Sequence, residues 1–162
     1  MSELSTTVGS GFAEYFDKIR EKLHKWVDPL SEEQFWKNPF PYGNDVGHLV
    51  LHLTGNLNYY IGAQIAANGY VRDRNREFTE TARLSKSQVL QSFDHAITLA
   101  ADTARKQSAE DWSREYSAER STSKNRFGIV LDCAAHADHH IGQIINLSPE
   151  LSRGAGSQAA SH

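Results

Sequence analysis

A single cysteine, Cys133, leaves no basis for an intramolecular disulfide framework. A chain of 162 residues is nevertheless long enough to bury a core without staples, and nothing favours an oxidising compartment over a reducing cytoplasm. No apolar run reaches transmembrane length. The first residues, Met1-Ser2-Glu3-Leu4-Ser5-Thr6-Thr7, lack a basic segment leading into an apolar one, so neither a membrane span nor a secretory leader is expected. An excess of one charge is missing too: 17 Lys and Arg stand against 20 Asp and Glu, interspersed, for a net charge of −3. That balance offers no footprint for nucleic acid or for an anionic lipid surface. Strand signals are weak, and no repeat of solenoid period is visible.

What the chain has is helical periodicity. Phe12, Tyr15, Phe16, Ile19, Leu23 and Trp26 recur at three- and four-residue spacing, which predicts an amphipathic helix over 11–27 that Asp28-Pro29 stops. Ser31-Glu32-Glu33-Gln34 reads as a capping box opening a short helical turn, and Asn38-Pro39-Phe40-Pro41-Tyr42-Gly43 as an extended connection. Asn44 is placed as the N-cap of a second helix reaching about Asn68. That helix is apolar around much of its circumference, and Gly47, Gly55 and Gly62 point to close approach by a neighbour. Ser85-Lys86-Ser87-Gln88 opens a third helix running to about Gln107, with another capped turn at Ser108-Ala109-Glu110-Asp111-Trp112. A fourth helix is predicted from Arg126 to Leu147, ended by Ser148-Pro149. The fold class is therefore all-α, one four-helix bundle with short extra helical turns in its connections. Residues 1–10 are expected to be a partly flexible N-terminal segment, 11–150 a single domain and 151–162 a flexible tail. Up-down-up-down and crossover connectivities both remain open.

The chemistry gathers in Asp132-Cys133-Ala134-Ala135-His136-Ala137-Asp138-His139-His140-Ile141-Gly142-Gln143. His136 and His140 lie four apart, so they share one helical face, and Ile129, Cys133, Ile144 and Leu147 place that face toward the core. Imidazoles there need partners, either hydrogen bonds or a metal ion. His48 and His52 form a second i, i+4 pair on the second helix. One of them, joined to His136 and His140 across the bundle, would complete a three-nitrogen site, and spacing alone does not choose between them. Cys133, one turn before His136, is either a fourth ligand or a small buried hydrophobe. Asn56 and Tyr59 share the His52 stripe and are read as core or as pocket lining. The run Arg72-Asp73-Arg74-Asn75-Arg76-Glu77 is read as a solvated loop, and His24 and His95 as surface residues without function. Asp45, Glu77 and Asp138 are unranked as general bases, with Asp138 expected to face away from the pair.

The segments Asn44-Asp45-Val46-Gly47-His48-Leu49-Val50-Leu51-His52-Leu53-Thr54-Gly55-Asn56, Arg72-Asp73-Arg74-Asn75-Arg76-Glu77-Phe78 and His136-Ala137-Asp138-His139-His140-Ile141-Gly142-Gln143 occur in the order seen in the DinB/YfiT-like superfamily of metal-dependent bundles. The resemblance spans about Phe12 to Leu147. It implies His52, His136 and His140 as metal ligands, with His48 at a position that relatives often fill with a large apolar or aromatic residue. Gln143 would stand one turn beyond His140 as a supporting residue. The resemblance further implies one divalent ion, zinc or nickel, in an open cleft, and a homodimer.

Two functions fit these expectations. The first is an enzyme that activates a low-molecular-weight thiol for transfer to an electrophile, or activates water, at the three-histidine site. The alternative is a non-catalytic, metal-dependent ligand-binding or stress-response protein using the same pocket. Partners are expected to be small molecules, a thiol and an electrophile, with no nucleic acid and no membrane.

Overall fold

The computed structural model describes residues 2–80 and 84–158, with side chains to 153. Four long segments make the bundle: α1 (Glu3–Val27), α3 (Val46–Leu57) continued by a π-helical segment (Asn58–Ala63), α5 (Lys86–Arg105) and α7 (Arg126–Gln158). Three short helices sit in the connections, α2 (Glu32–Phe35), α4 (Arg76–Thr79) and α6 (Ala109–Ser113). No strand forms among the described residues; Glu115 and Asn125 make one isolated antiparallel bridge. Among those residues no helix is long and apolar enough to cross a membrane.

The local signals hold where they are strongest. Ser31, Ser85 and Ser108 each accept from the backbone N–H three residues on, and the side chains of Gln34, Gln88 and Asp111 return the bond. Such reciprocal pairs satisfy two otherwise orphaned donors at a helix start. The cap of α3 is Asp45 rather than Asn44, its carboxylate accepting from the His48 N–H.

Both chain ends are more helical than periodicity implied. α1 begins at Glu3, capped by Ser2, and not at Gly11. Its first turns carry small residues: Ser5 and Gly9 are buried, and a Cβ on Gly9 would stand 2.6 Å from the Ala104 carbonyl oxygen of α5. Close packing of this kind leaves no apolar stripe to read. At the other end α7 runs through Pro149 to Gln158, so Ser148-Pro149 does not end it. The proline forfeits one backbone bond, but Leu151 beyond it is buried and its carbonyl accepts from Gln34 Nε2. Of the expected tail, 151–158 is therefore helical, and 159–162 lies outside the described residues.

Paired contacts settle the topology. Gly9 lies against Ala104, and His24 reaches Asp94, so α1 and α5 run oppositely. Lys22 with Asp138 and Trp26 with Ser148 put α7 alongside α1 in the same direction. α3 begins beside Trp36, whose indole N–H donates to Leu84 O, and Gly62 ends against Leu99; α3 and α5 are thus parallel. The order is up-down-down-up, the crossover form, in which α1 packs chiefly on α5 and α7, and α3 on α5, α4 and α7. Phe16, Phe35, Leu53, Phe93, Ile97 and Ile141 are fully buried at its centre.

Candidate metal centre

His52 projects from α3 and is 5% exposed. Its Nδ1–H donates to Glu77 Oε2 at 2.8 Å. Glu77, on α4 and 6% exposed, also receives Arg72 Nε at 2.6 Å on Oε1 and Arg72 Nη2 at 2.9 Å on Oε2. Burial works against ionising Glu77, but the hydrogen bonds from His52 and Arg72 outweigh it and hold the carboxyl below the usual range. Glycine at position 55 makes the arrangement possible, because a Cβ there would lie 2.0 Å from Glu77 Oε1. The charged run is therefore not a uniformly solvated loop: Arg72 and Glu77 form a buried ion pair beneath His52, and Phe78 tilts against the imidazole with ring centroids 4.8 Å apart.

α7 brings the other two imidazoles to the same place. His52 Nε2 lies 2.8 Å from His136 Nε2, and the His136 and His140 ring centroids are 4.5 Å apart. One ligand atom from each of His52, His136 and His140 falls within 4.8 Å of the others. His140 Nδ1–H donates to Gln143 Oε1 at 2.7 Å, so His52 and His140 each have one nitrogen held by an oxygen acceptor, and the other nitrogen of His52 faces His136. Oxygen acceptors on the far nitrogen set the tautomer of metal-binding histidines in this way. Burial, reinforced by the adjacent imidazoles and Arg72, pulls His136 down to about 4. Burial lowers His140 as well, against the raising effect of its bond to Gln143. Both rings are therefore neutral at neutral pH, which leaves lone pairs available. Three converging imidazoles, with no fourth protein donor in the cluster among the described residues, form a donor set compatible with a divalent ion that keeps a position open.

Other candidates lie elsewhere. His48 is turned away, its Nδ1 on Asp45 Oδ2 at 2.9 Å and its Nε2 on Glu80 O at 3.2 Å, with Trp36 edge-on. Cys133 lines the cleft but stands outside the three-histidine group, and burial pushes its thiol well up, so it behaves as a small apolar residue. Asp138 pairs with Lys22 on the surface, away from the site. His24 is no isolated surface residue, since Asp28 and Asp94 hold its two nitrogens. Asn56 borders the histidine cleft of about 320 Å³, together with Tyr60, Arg72, Arg74 and Arg120. Tyr59 faces the neighbouring cleft, 6.0 Å from Arg72 Cζ. Sequence reasoning left Glu77 unranked and did not single out Arg120. For Glu77 the available signal was Gly55, a small residue one turn from His52 on a helix otherwise well filled.

A family model described as the DinB superfamily matches residues 15–144, a span that contains all three histidines. Neither a comparison with curated proteins nor one with solved structures finds a match.

Proposed function

The chain belongs to the DinB superfamily, and from that premise we propose that it is a divalent-metal-dependent enzyme that activates a small thiol for transfer to an electrophile. The observation that carries the reading is the convergence of His52, His136 and His140 within 4.8 Å, with the far nitrogens of His52 and His140 held by Glu77 and Gln143. Zinc or nickel suits such imidazole donors. A bound ion would act as a Lewis acid that lowers the pKa of a thiol or water entering its open position.

The protein's own groups favour thiol over water. Both Glu77 oxygens are engaged, by Arg72 and His52, so Glu77 orients an imidazole and is not free to take a proton from substrate. Attack by water is commonly helped by a positioned base, whereas a thiol with an ordinary pKa near 8.5 needs only a modest lowering. Arg72 keeps Glu77 ionised, Glu77 keeps the His52 proton on Nδ1, and Gln143 does the same for His140. The cleft beside them admits the reactants.

The test is conjugation of 2-mercaptoethanol to an alkylating electrophile by zinc- or nickel-loaded protein. Acceleration that is lost in His52→Ala is expected; saturable thiol binding without product would favour a metal-dependent binding protein instead. We extend the proposal to a homodimer, supported by the resemblance and by the exposed Leu131 and Phe127 on α7, and to a cytoplasmic location, supported by the single cysteine. Sedimentation equilibrium should then return the mass of two chains.

A further inference from the structure

We infer that the histidine cleft takes a small organic anion that also carries a hydrogen-bond donor, with the anion on Arg74 and Arg120 and the donor on Asn56. The inference deepens the reading of this site as one for a small thiol-bearing molecule. It depends on that reading only for what happens beside the histidines.

Asn56 stands one turn after His52 on α3, 7% exposed, and borders the cleft. Its Oδ1 is buried without a hydrogen-bond partner. A buried amide oxygen is costly to leave unpaired, and natural sites of this kind are commonly completed by water or by a ligand donor. A thioether or hydrocarbon would not satisfy it; an O–H or N–H would.

Three guanidiniums border the same cleft, and they differ in what they already hold. Arg72 is committed to Glu77 through two nitrogens. Arg74 lies with its Cζ 5.4 Å from the Phe78 ring centroid and makes no ion pair among the described residues. Arg120 meets Glu119 only loosely, Nε to Oε1 at 3.5 Å, with both side chains largely exposed at 64% and 78%. The carboxylate bordering this cleft is Asp132, which accepts from Ser123 Oγ; exposed Asp73 and Glu119 stand in the neighbouring cleft. Across the two clefts the three arginines meet Asp132, buried Glu77, Asp73 and Glu119, so recognition falls to the less committed forks of Arg74 and Arg120 and not to an excess of positive charge. Planar forks of this kind recognise carboxylate and phosphoryl groups through paired hydrogen bonds.

Position supports the assignment. The histidine cleft and its neighbour of about 550 Å³ share Tyr60, Arg72, Arg74 and Arg120. The two less committed arginines therefore sit where the clefts join. A ligand with one end at the histidines meets them with its other end. Arg120 is presented from the connection between α6 and α7 with φ at +64°, a left-handed conformation that a non-glycine residue adopts at some cost.

The test begins with metal-free protein, so that no anion can bind through a cation. Amide resonances are followed by NMR while propionate, methyl phosphate or neutral 1-propanol is added. We expect at least one anion to bind at the cleft and propanol not to, and Arg74→Gln/Arg120→Gln to weaken the anion about tenfold or more. The tighter of the two anions identifies carboxylate or phosphoryl as the source. Lactate, which adds a hydroxyl donor, should bind several-fold more tightly than propionate, and Asn56→Leu should erase that advantage. Failure of both anions to bind, or equal affinity in the double variant, overturns the anion assignment. An advantage for lactate that is absent, or that survives in Asn56→Leu, overturns the role of Asn56. The zinc-loaded protein is then titrated with 3-mercaptopropionate and propionate: no gain from the thiol defeats the thiol reading of the site and leaves the anion result standing.

Discussion

Glu77 decides what His52 can do. Its carboxylate accepts the Nδ1–H hydrogen bond at 2.8 Å and so leaves the lone pair on Nε2, beside His136 Nε2. Removing that charge while keeping the shape should cost metal affinity, and Glu77→Gln is expected to weaken zinc binding about 10- to 100-fold in chelator competition. Gly55 offers an independent route to the same pair. In Gly55→Ala the new Cβ would stand 2.0 Å from Glu77 Oε1, so the carboxylate must move. The expected result is a loss of about 1–3 kcal/mol in denaturant unfolding together with weaker zinc binding. Gly11→Ala, whose Cβ would meet nothing within 4 Å, should show neither loss. The partition between what was legible in the sequence and what was not follows from range. His136 and His140 could be paired from their spacing because a helix brings i and i+4 together. His48 and His52 could not be separated that way, since both lie on α3 one turn apart. What separates them is Glu77, from an element 25 residues further along the chain, against the local Asp45 that claims His48.

The same division between local and distant causes governs the helices. Capping boxes are written within four residues, and all three formed where expected. The start of α1 and the continuation of α7 depend instead on contacts with other segments, Gly9 on Ala104 and Leu151 with Gln34, which no window along one segment contains. The π-helical stretch after α3 carries i→i−5 bonds, Gln64 N–H to Tyr59 O and Ala66 N–H to Ile61 O, and a Cβ on its Gly62 would stand 3.1 Å from Leu99 of α5. Between α1 and α5, His24 bridges Asp28 and Asp94 at 2.9 and 2.8 Å. Burial opposes its protonation, yet the hydrogen bonds to Asp94 and Asp28 raise it above its ordinary 6.5. A pKa higher in the folded than in the unfolded chain contributes stability that is fully present below the unfolded value and is lost as pH rises through the folded one. The difference in unfolding free energy between native protein and His24→Gln should therefore be larger near about pH 5.5 than near about pH 8.5. A difference that grows toward alkaline pH would contradict the bridge.

At the scale of the molecule, the up-down-down-up order places α3 beside α7. The stretch after Ala63 can then deliver Arg72 and Glu77 beneath His52. Fold class and the number of long helices were readable from periodicity. The choice of crossover over simple alternation was not, because it is fixed by which faces meet. A site assembled from three separate stretches should couple binding to folding: zinc at a hundredfold excess over its Kd is expected to stabilise the native protein by about 2.7 kcal/mol, an effect that chelator reverses in thermal melts. The most direct test of the three-histidine centre is X-ray absorption on the zinc-loaded chain with one equivalent bound. We expect three imidazole nitrogens at about 2.0–2.1 Å, with one imidazole lost from the spectrum in each of His52→Ala, His136→Ala and His140→Ala. A shell of water oxygens alone, a sulfur ligand at about 2.3 Å, or a spectrum unchanged by these substitutions would contradict it.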